Sequence, residues 1–447
     1  KQGGFFVKFA LHLGSEISLE NFSLSQLITS VKVVFDTEAL PGFLKAFVSV
    51  IEMMALKSKL PCPKCQSEKQ HVHGISSKKL RTSIGEVSLA LTRVKCQNCG
   101  KTFIPMNRYF DLDQHSRKSR EFEKLSLETI TEQSFRRSEK HLTNTIGYRT
   151  PFTTLHRWFM KTTSTVMDVK HRADSLIADG TGFKKKYDEF GSNRGEMKIM
   201  IGLSSKSEVI PFGAWSRASW KDIGRFVKRE NHPSEKIKFK PIAETLITDG
   251  EEELINKLQK LAKSHQRCLF HMTYELSPLL QYRDYASKEE AIKLSQELGS
   301  LIYIDLPESD VDPLKNIEHK LKIEIKYKKM KEQIEEFIKQ LKYFGYKKAM
   351  TFVENSKHKL FTYIENWLKT GISNPKVTSI VERIMREIKR RIKKIGFAWS
   401  EKGAEKMTRL VLLQLSSTKH FWDDYWKNKT GTDSKLKIQF LGVTSSN

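Results

Sequence analysis

Cysteine is scarce in this sequence. Five occur in 447 residues, four of them in two Cys-x-x-Cys pairs and one alone. That count and pairing exclude the disulfide framework of a small secreted protein and point to a reducing, cytoplasmic compartment. Long uncharged apolar runs are also missing. The most apolar stretch, residues 43–56, carries Lys45 and Glu52, so no run reaches the ~18 residues of a spanning helix. It reads as a packing helix, and no membrane partner is expected. The first residue is Lys1 rather than methionine, and no signal-peptide pattern follows it. Internal repeats and low-complexity tracts are absent. Acidic residues are in deficit, 52 against 78 lysines and arginines, a net charge of +26. An excess that large implies a polyanionic partner, and nucleic acid is the usual one.

What is present is enough for several domains with a sizeable core: the length suits two to four, and 38% of residues are hydrophobic. One stretch organises the rest. Leu176 and Ile177 run into Asp179, with Gly180 and Gly182 behind it, which predicts a buried strand ending in a carboxylate and then a tight turn. The pattern returns where residues 242–248, mostly apolar, run into Asp249 and Gly250. Two strands that each end in Asp-Gly place two carboxylates at one sheet edge, an arrangement suited to hard divalent cations. Strands over 196–203 and 208–215, a helix over 251–262 and a short strand over 265–271 complete an α/β sheet.

Ahead of this region, Cys62 and Cys65 form one knuckle and Cys96 and Cys99 the other. Two such knuckles supply four thiolates to one tetrahedral zinc, with no open position, so the Zn²⁺ is structural. The alternation of Ile84, Val87, Leu89, Leu91 and Val94 predicts paired strands between them, making a zinc ribbon. His71 and His73 read as surface residues. Next, residues 134–142 and 151–159 predict two helices across a turn carrying Gly147, a helix-turn-helix outline. Arg149, Thr153, Thr154, His156 and Arg157 then lie on or near its groove-facing side. Residues 276–375 are helical and lysine-rich. Residues 377–395 predict a helix whose stripe of Val381, Ile384, Met385, Ile388, Ile392 and Ile395 faces a core. Glu382 and Glu387 flank that stripe on opposite sides, and periodicity alone does not say which faces a shared site.

Taken in order, Asp179-Gly180, Asp249-Gly250, Gln266 ahead of Cys268 and His271, and Glu382-Arg383 before a basic helix resemble a DDE transposase of the Mutator-like bacterial insertion-sequence group. Residues 399–407, from Trp399 to Met407, add to the likeness. The resemblance covers about residues 170–415 and implies a ribonuclease-H-like α/β catalytic core with a helical insertion. It makes Glu382 the third carboxylate. It places Cys268 and His271 as structural support near the site. The whole is expected to be a multidomain α+β protein. The segments are an N-terminal helical region (1–60), a zinc ribbon (61–106), a helix-turn-helix domain (107–168), the core's first part (169–275), the insertion (276–375), the core's final helices (376–420) and a tail (421–447).

The implied chemistry is strand cleavage by water and then attack of the freed 3′-hydroxyl on target DNA. Asp179, Asp249 and Glu382 would hold two Mg²⁺ (or Mn²⁺) ions roughly 3.5–4 Å apart. Lys184, Lys185 and Lys186 beside Asp179, and Arg383, Arg386 and Lys389 beside Glu382, would position the phosphodiester backbone. Trp215 and Trp399 read as core residues with a stacking alternative. The expected partners are double-stranded DNA, as element ends and target, and a second copy in a homodimer on DNA within the nucleoid. A non-catalytic, domesticated DNA-binding protein is the alternative from another class, and a metal-dependent nuclease without joining is a third.

Overall fold

The structure is a computed structural model that describes residues 24–57, 59–110, 116–162, 172–186, 193–204, 208–231, 240–306, 316–371, 375–376, 379–395, 398–416 and 426. The expected tail, apart from Trp426, lies outside them. The described residues divide into two compact units, one up to Trp158 and one from Phe159 on.

The first unit opens with α1 (Leu24–Val34), a π-helical turn (Phe35–Ala39) and α2 (Leu40–Lys57). The helical run Val31–Lys57 is long and apolar enough, by length and composition, to cross a membrane, which amends the reading that no stretch reaches that size. Its second half has another use as well. Val48 and Ala55 pack into one core with Leu80, Val87, Leu89, Leu91 and Met106 of the ribbon, and Glu52 accepts the Thr92 N–H at 2.6 Å. The ribbon is a long hairpin, β1 (Gln70–Thr82) against β2 (Gly85–Cys96), with the short β3 (Thr102–Phe103) on the other side of β2. Alternate residues of β2 are buried, as the sequence pattern requires. The hairpin turns at Ser83-Ile84, and Gly85 takes a φ of 107° that suits glycine.

After α3 (Pro105–Tyr109) come α4 (Arg120–Glu132), α5 (Phe135–Ile146) and α6 (Phe152–Thr162). The last two are the predicted helix pair. Ser134 caps α5 by accepting the Arg137 N–H at 3.3 Å, and Gly147 ends it in the left-handed conformation.

The second unit holds a five-stranded mixed sheet. Its strands are β4 (Ala173–Lys184), β5 (Arg194–Leu203), β6 (Val209–Trp215), β7 (Ala243–Thr248) and β8 (Ala262–Arg267), in the order β6-β5-β4-β7-β8. β4, β5 and β6 are antiparallel, while β4, β7 and β8 run parallel. Two helices cover one face: α7 (Trp220–Asn231), which the sequence pattern did not suggest, and α8 (Glu252–Leu258). Trp220, Ile223, Val227, Leu254 and Leu258 meet Leu176, Ala178 and Leu246 there.

Two boundaries differ from expectation. β4 does not end at Asp179. It runs on to Lys184, because Gly180 and Gly182 stay extended and pair with Lys198 and Glu196 of β5. The strand expected over 265–271 ends at Arg267, and Cys268 instead caps α9 (Leu269–Arg283).

α9 leads into the helical insertion: α10 (Lys288–Ile302), α11 (Ile317–Tyr343), α12 (Lys347–Ser356) and α13 (Thr362–Thr370), with a core of their own around Met272, Leu298, Ile334, Phe337 and Trp367. α14 (Ser379–Lys389), a π turn (Arg390–Lys394) and α15 (Glu401–Leu415) return to the sheet.

Candidate functional site

Strand register sets the site. Ile177 of β4 stands opposite Ile247 of β7, which stands opposite Gln266 of β8. Two residues further along each chain come Asp179, Asp249 and Cys268, one row across three parallel strands that lie ~4.8 Å apart. Asp249 sits just past its strand, where Gly250 turns the chain at a φ of 108°. The Asp249 carboxylate accepts the Glu251 N–H at 3.1 Å and so starts α8. Asp179 accepts the Gly180 N–H at 2.6 Å. Burial, and then the like charge of Asp249, push the Asp179 carboxyl above the usual carboxylate range.

Opposing positive charge comes from two places. Lys389 of α14 and His271 of α9 both act on Asp179. His271 Nδ1 lies 3.3 Å from Cys268 Sγ. That contact raises the His271 pKa against the effect of burial, and the charges of Asp249 and Glu275 add to it.

The apolar stripe of α14 docks as predicted, with Ile384, Met385, Ile388 and Ile392 buried. This separates the two glutamates. Glu387 forms an ion pair with Arg390 at 2.7 Å. Glu382, in the first turn of α14, acts electrostatically on Tyr303, as does Cys268, and with burial the leading cause they push that phenol up to about 12. Among the described residues, the three carboxylates do not close into a set with every ligand atom within 4.8 Å.

Arg267 belongs to this site too, and the sequence reading missed it. Its guanidinium is buried and pairs with Glu275 at 2.9 Å. It lies so close to the backbone at Gly250 that a Cβ there would sit 1.2 Å from Nη1. The sequence signal was an arginine directly before Cys268, in a segment otherwise built for a buried strand. Gln266 is wholly buried. Its amide donates to the Leu360 carbonyl at 3.0 Å and accepts the Tyr363 N–H at 2.9 Å, fastening the insertion to β8.

The segment from Trp399 to Met407 closes the other end of β4. Trp399 exchanges backbone hydrogen bonds with Lys184 and Lys186. Ser400 caps α15 by accepting the Gly403 N–H at 3.1 Å. Glu401 pairs with Lys185 at 3.6 Å and with Arg217. Lys185 is thus engaged within the chain, whereas Lys184 and Lys186 are exposed. Arg383, Arg386 and Lys389 are exposed on α14 with no ion pair among the described residues. Trp399 lies under the Arg391 guanidinium, 4.9 Å away, and Trp215 packs edge-on against Phe226.

In the helix pair, Thr153, His156 and Arg157 are exposed on α6 and Thr154 is half-buried. Arg149 is exposed but paired with Glu139 at 2.6 Å. Glu139 also accepts the Phe152 N–H at 2.9 Å, so one carboxylate of α5 holds the turn and starts α6. The Arg149 hydrogen bond, the Phe152 N–H and nearby arginine charge keep that carboxyl below the usual range.

The cysteines form a separate centre. The ligand atoms of Cys62, Cys65, Cys96 and Cys99 all lie within 4.8 Å of one another, the one such group of three or more possible ligands among the described residues. Each knuckle is a tight turn, closed by Gln66 N–H to the Cys62 carbonyl at 2.9 Å and Gly100 N–H to the Cys96 carbonyl at 3.0 Å. Burial opposes ionisation of Cys62, but N–H groups of Cys65 and Lys64 and the neighbouring thiols pull it down to about 6. Cys99 has the Lys101 N–H in its favour, yet burial and three adjacent thiols push it up to about 11. Four thiols competing for a shared set of donors is the chemistry of a Cys₄ cluster able to bind a metal such as zinc. His71 and His73 are exposed, as expected. Compared with models of known protein families and with curated proteins, the chain finds no match.

Proposed function

We propose that this protein is a DNA transposase with a ribonuclease-H-like core, which binds element ends and carries out metal-dependent strand cleavage and strand transfer. The observation that carries the reading is that Asp179 and Asp249 each follow by two residues the paired Ile177 and Ile247 of adjacent parallel strands, with the helix of Glu382 docked against β4. Two carboxylates side by side, one of them half-buried and reluctant to ionise, form a donor set that a hard divalent cation would relieve. Mg²⁺ or Mn²⁺ bound there would supply Lewis-acid stabilisation of the attacking and leaving oxygens. The chain's part is to hold the carboxylates. Lys389 and His271 offset their charge, and Arg383 and Arg386 offer cations to the phosphodiester backbone.

The net charge of +26 and the helix pair with Arg157 exposed support DNA as substrate. Zinc in the cysteine cluster would stiffen the ribbon as a recognition module. Bringing two element ends together requires at least a dimer on DNA, acting at the nucleoid. The deciding assay is cleavage of a labelled end duplex with Mg²⁺. Asp179→Asn, Asp249→Asn and Glu382→Gln should each abolish cleavage while duplex binding persists, and Glu387→Gln should keep most of it. Normal cleavage by both aspartate variants would leave a non-catalytic DNA-binding protein as the better reading.

A further inference from the structure

A second basic site lies in the first unit, far along the chain from the carboxylates. Its wall is the β1 face of the ribbon hairpin, with Lys78, Lys79 and Arg81. The chain just ahead of α4 adds Arg117, and the turn between α5 and α6 adds Tyr148. Together they line a cavity of about 520 Å³. The junction is built rather than incidental. Arg81 N–H donates to the Arg117 carbonyl at 2.9 Å, and Ser119 N–H donates back to the Arg81 carbonyl at 2.9 Å. The Arg81 guanidinium lies over the Tyr148 ring, 5.2 Å from its centre.

Lys79, Arg81 and Arg117 therefore share one concavity with a single lining carboxylate, Glu86, which is 3.8 Å from Lys79, while the Lys78 ammonium donates to Asn107 Oδ1 at 3.3 Å. Among the described residues, neither Arg81 nor Arg117 has a carboxylate partner. Crowding like charges into a cavity is unfavourable unless an anion occupies it. Planar guanidiniums backed by hydroxyls, here Ser77 and Ser116, match phosphate oxygens.

We infer that this cavity binds a backbone phosphate of duplex DNA and thereby sets the zinc ribbon and the helix pair on one stretch of duplex. The inference rests on the DNA-binding part of the proposed function, not on the acid chemistry. One phosphate in the cavity touches the ribbon, the strap before α4 and the helix-pair turn at once. A ribbon and a helix pair that share a phosphate read the duplex in fixed register, because phosphate contacts position while base contacts specify.

The test uses the full chain, a mixed-sequence duplex of about 30 base pairs, and anisotropy titrations without divalent metal over a range of salt. Arg117→Gln changes an exposed side chain with no ion-pair partner among the described residues, and Arg81→Gln/Arg117→Gln removes both guanidiniums. The double variant should bind roughly tenfold more weakly at 0.1 M salt, with the slope of log K against log salt shallower by about 2. The single variant should lose about half of that slope change. Glu86→Gln should bind about twofold tighter. Zinc content and melting temperature, unchanged in all three, exclude misfolding. Wild-type binding with no change in either arginine variant overturns the inference and leaves DNA binding intact. No duplex binding by the wild type overturns both. If the arginine variants lose only the affinity for inorganic phosphate, followed by ³¹P line broadening, the cavity takes a small free anion and the inference fails.

Discussion

At Asp179 the sequence and its surroundings pull against each other. A carboxyl whose folded pKa is raised favours the folded state below the ordinary carboxylate range, and that contribution is lost as pH rises through the raised value. At neutral pH the charged form is therefore a burden on the fold. Asp179→Asn should raise the melting temperature of the second unit at pH 7, by about 2–4 °C for each ~1 kcal/mol relieved, and the gain should shrink on acidification. Calorimetry across pH measures both. Gly250 makes the opposite case. Alanine there meets a φ of 108° and the Arg267 guanidinium together, so Gly250→Ala should cost about 1–3 kcal/mol and lower the melting temperature. The nearness of Asp179 and Asp249 at the sheet and the clustering of four cysteines were legible because each is marked by a local pattern, a strand running into Asp-Gly or a paired Cys-x-x-Cys. Arg267, Glu275, Tyr303 and Glu139 were not. Their roles come from partners brought close by the fold, and nothing in their own neighbourhoods signals it.

At the level of elements, amphipathic spacing was the most readable signal. The stripe of α14 was visible as a period, and it settles on the sheet with Glu387 turned to Arg390. Spacing could not say that β4 continues through two glycines, because the pairing that keeps them extended belongs to β5. Nor did it reveal α7, whose buried face is only Trp220, Ile223 and Val227 among charged neighbours. β8 offers a pH test of how the insertion is held. His265 is buried, bonds Thr248 Oγ1 at 2.9 Å, and its carbonyl accepts the Thr362 hydroxyl of α13 at 2.8 Å. Burial, with Lys359 and Arg267 nearby, pulls its pKa down to about 4. Its contribution is complete above the ordinary histidine range and is lost as pH falls toward 4, at a cost on the order of 3 kcal/mol. Stability of the second unit should therefore drop between pH 6.5 and 4, and His265→Gln should flatten that part of the profile. Hydrogen exchange at α13 should quicken over the same interval.

For the whole molecule, the division into two units makes a thermal prediction. The first unit holds a Cys₄ cluster and a modest core, while the second has a sheet and a separate helical core. Removing metal with a chelator should unfold the ribbon region and leave the second unit's transition nearly unchanged, so one of two calorimetric transitions moves. Metal analysis of the folded protein should find one zinc per chain, and purified protein that folds without zinc would count against the ribbon site. The order of elements was readable from composition and motif order, since cysteine knuckles, basic helices, strands and lysine-rich helices follow one another in blocks. Which blocks share a core was not. The N-terminal helices gave no sign that Val48 and Ala55 would pack on the ribbon, because an apolar face announces burial without naming its partner.

The excursion through the helical insertion begins and ends at one place. Leu269, where α9 starts, donates its N–H to the carbonyl of Lys376, where the chain comes back, at 3.1 Å. A detour whose two ends touch is a closed loop, and closing such a loop costs entropy that grows only with the logarithm of its length, about 0.6 kcal/mol for each doubling. The carboxylate row is thus almost indifferent to how much chain is spun out between Asp249 and Glu382. Helices α10 to α12 can be lengthened or shortened beyond that gate at little entropic expense to the sheet, whereas α13, bonded to β8 through Thr362 and Tyr363, cannot be exchanged so cheaply.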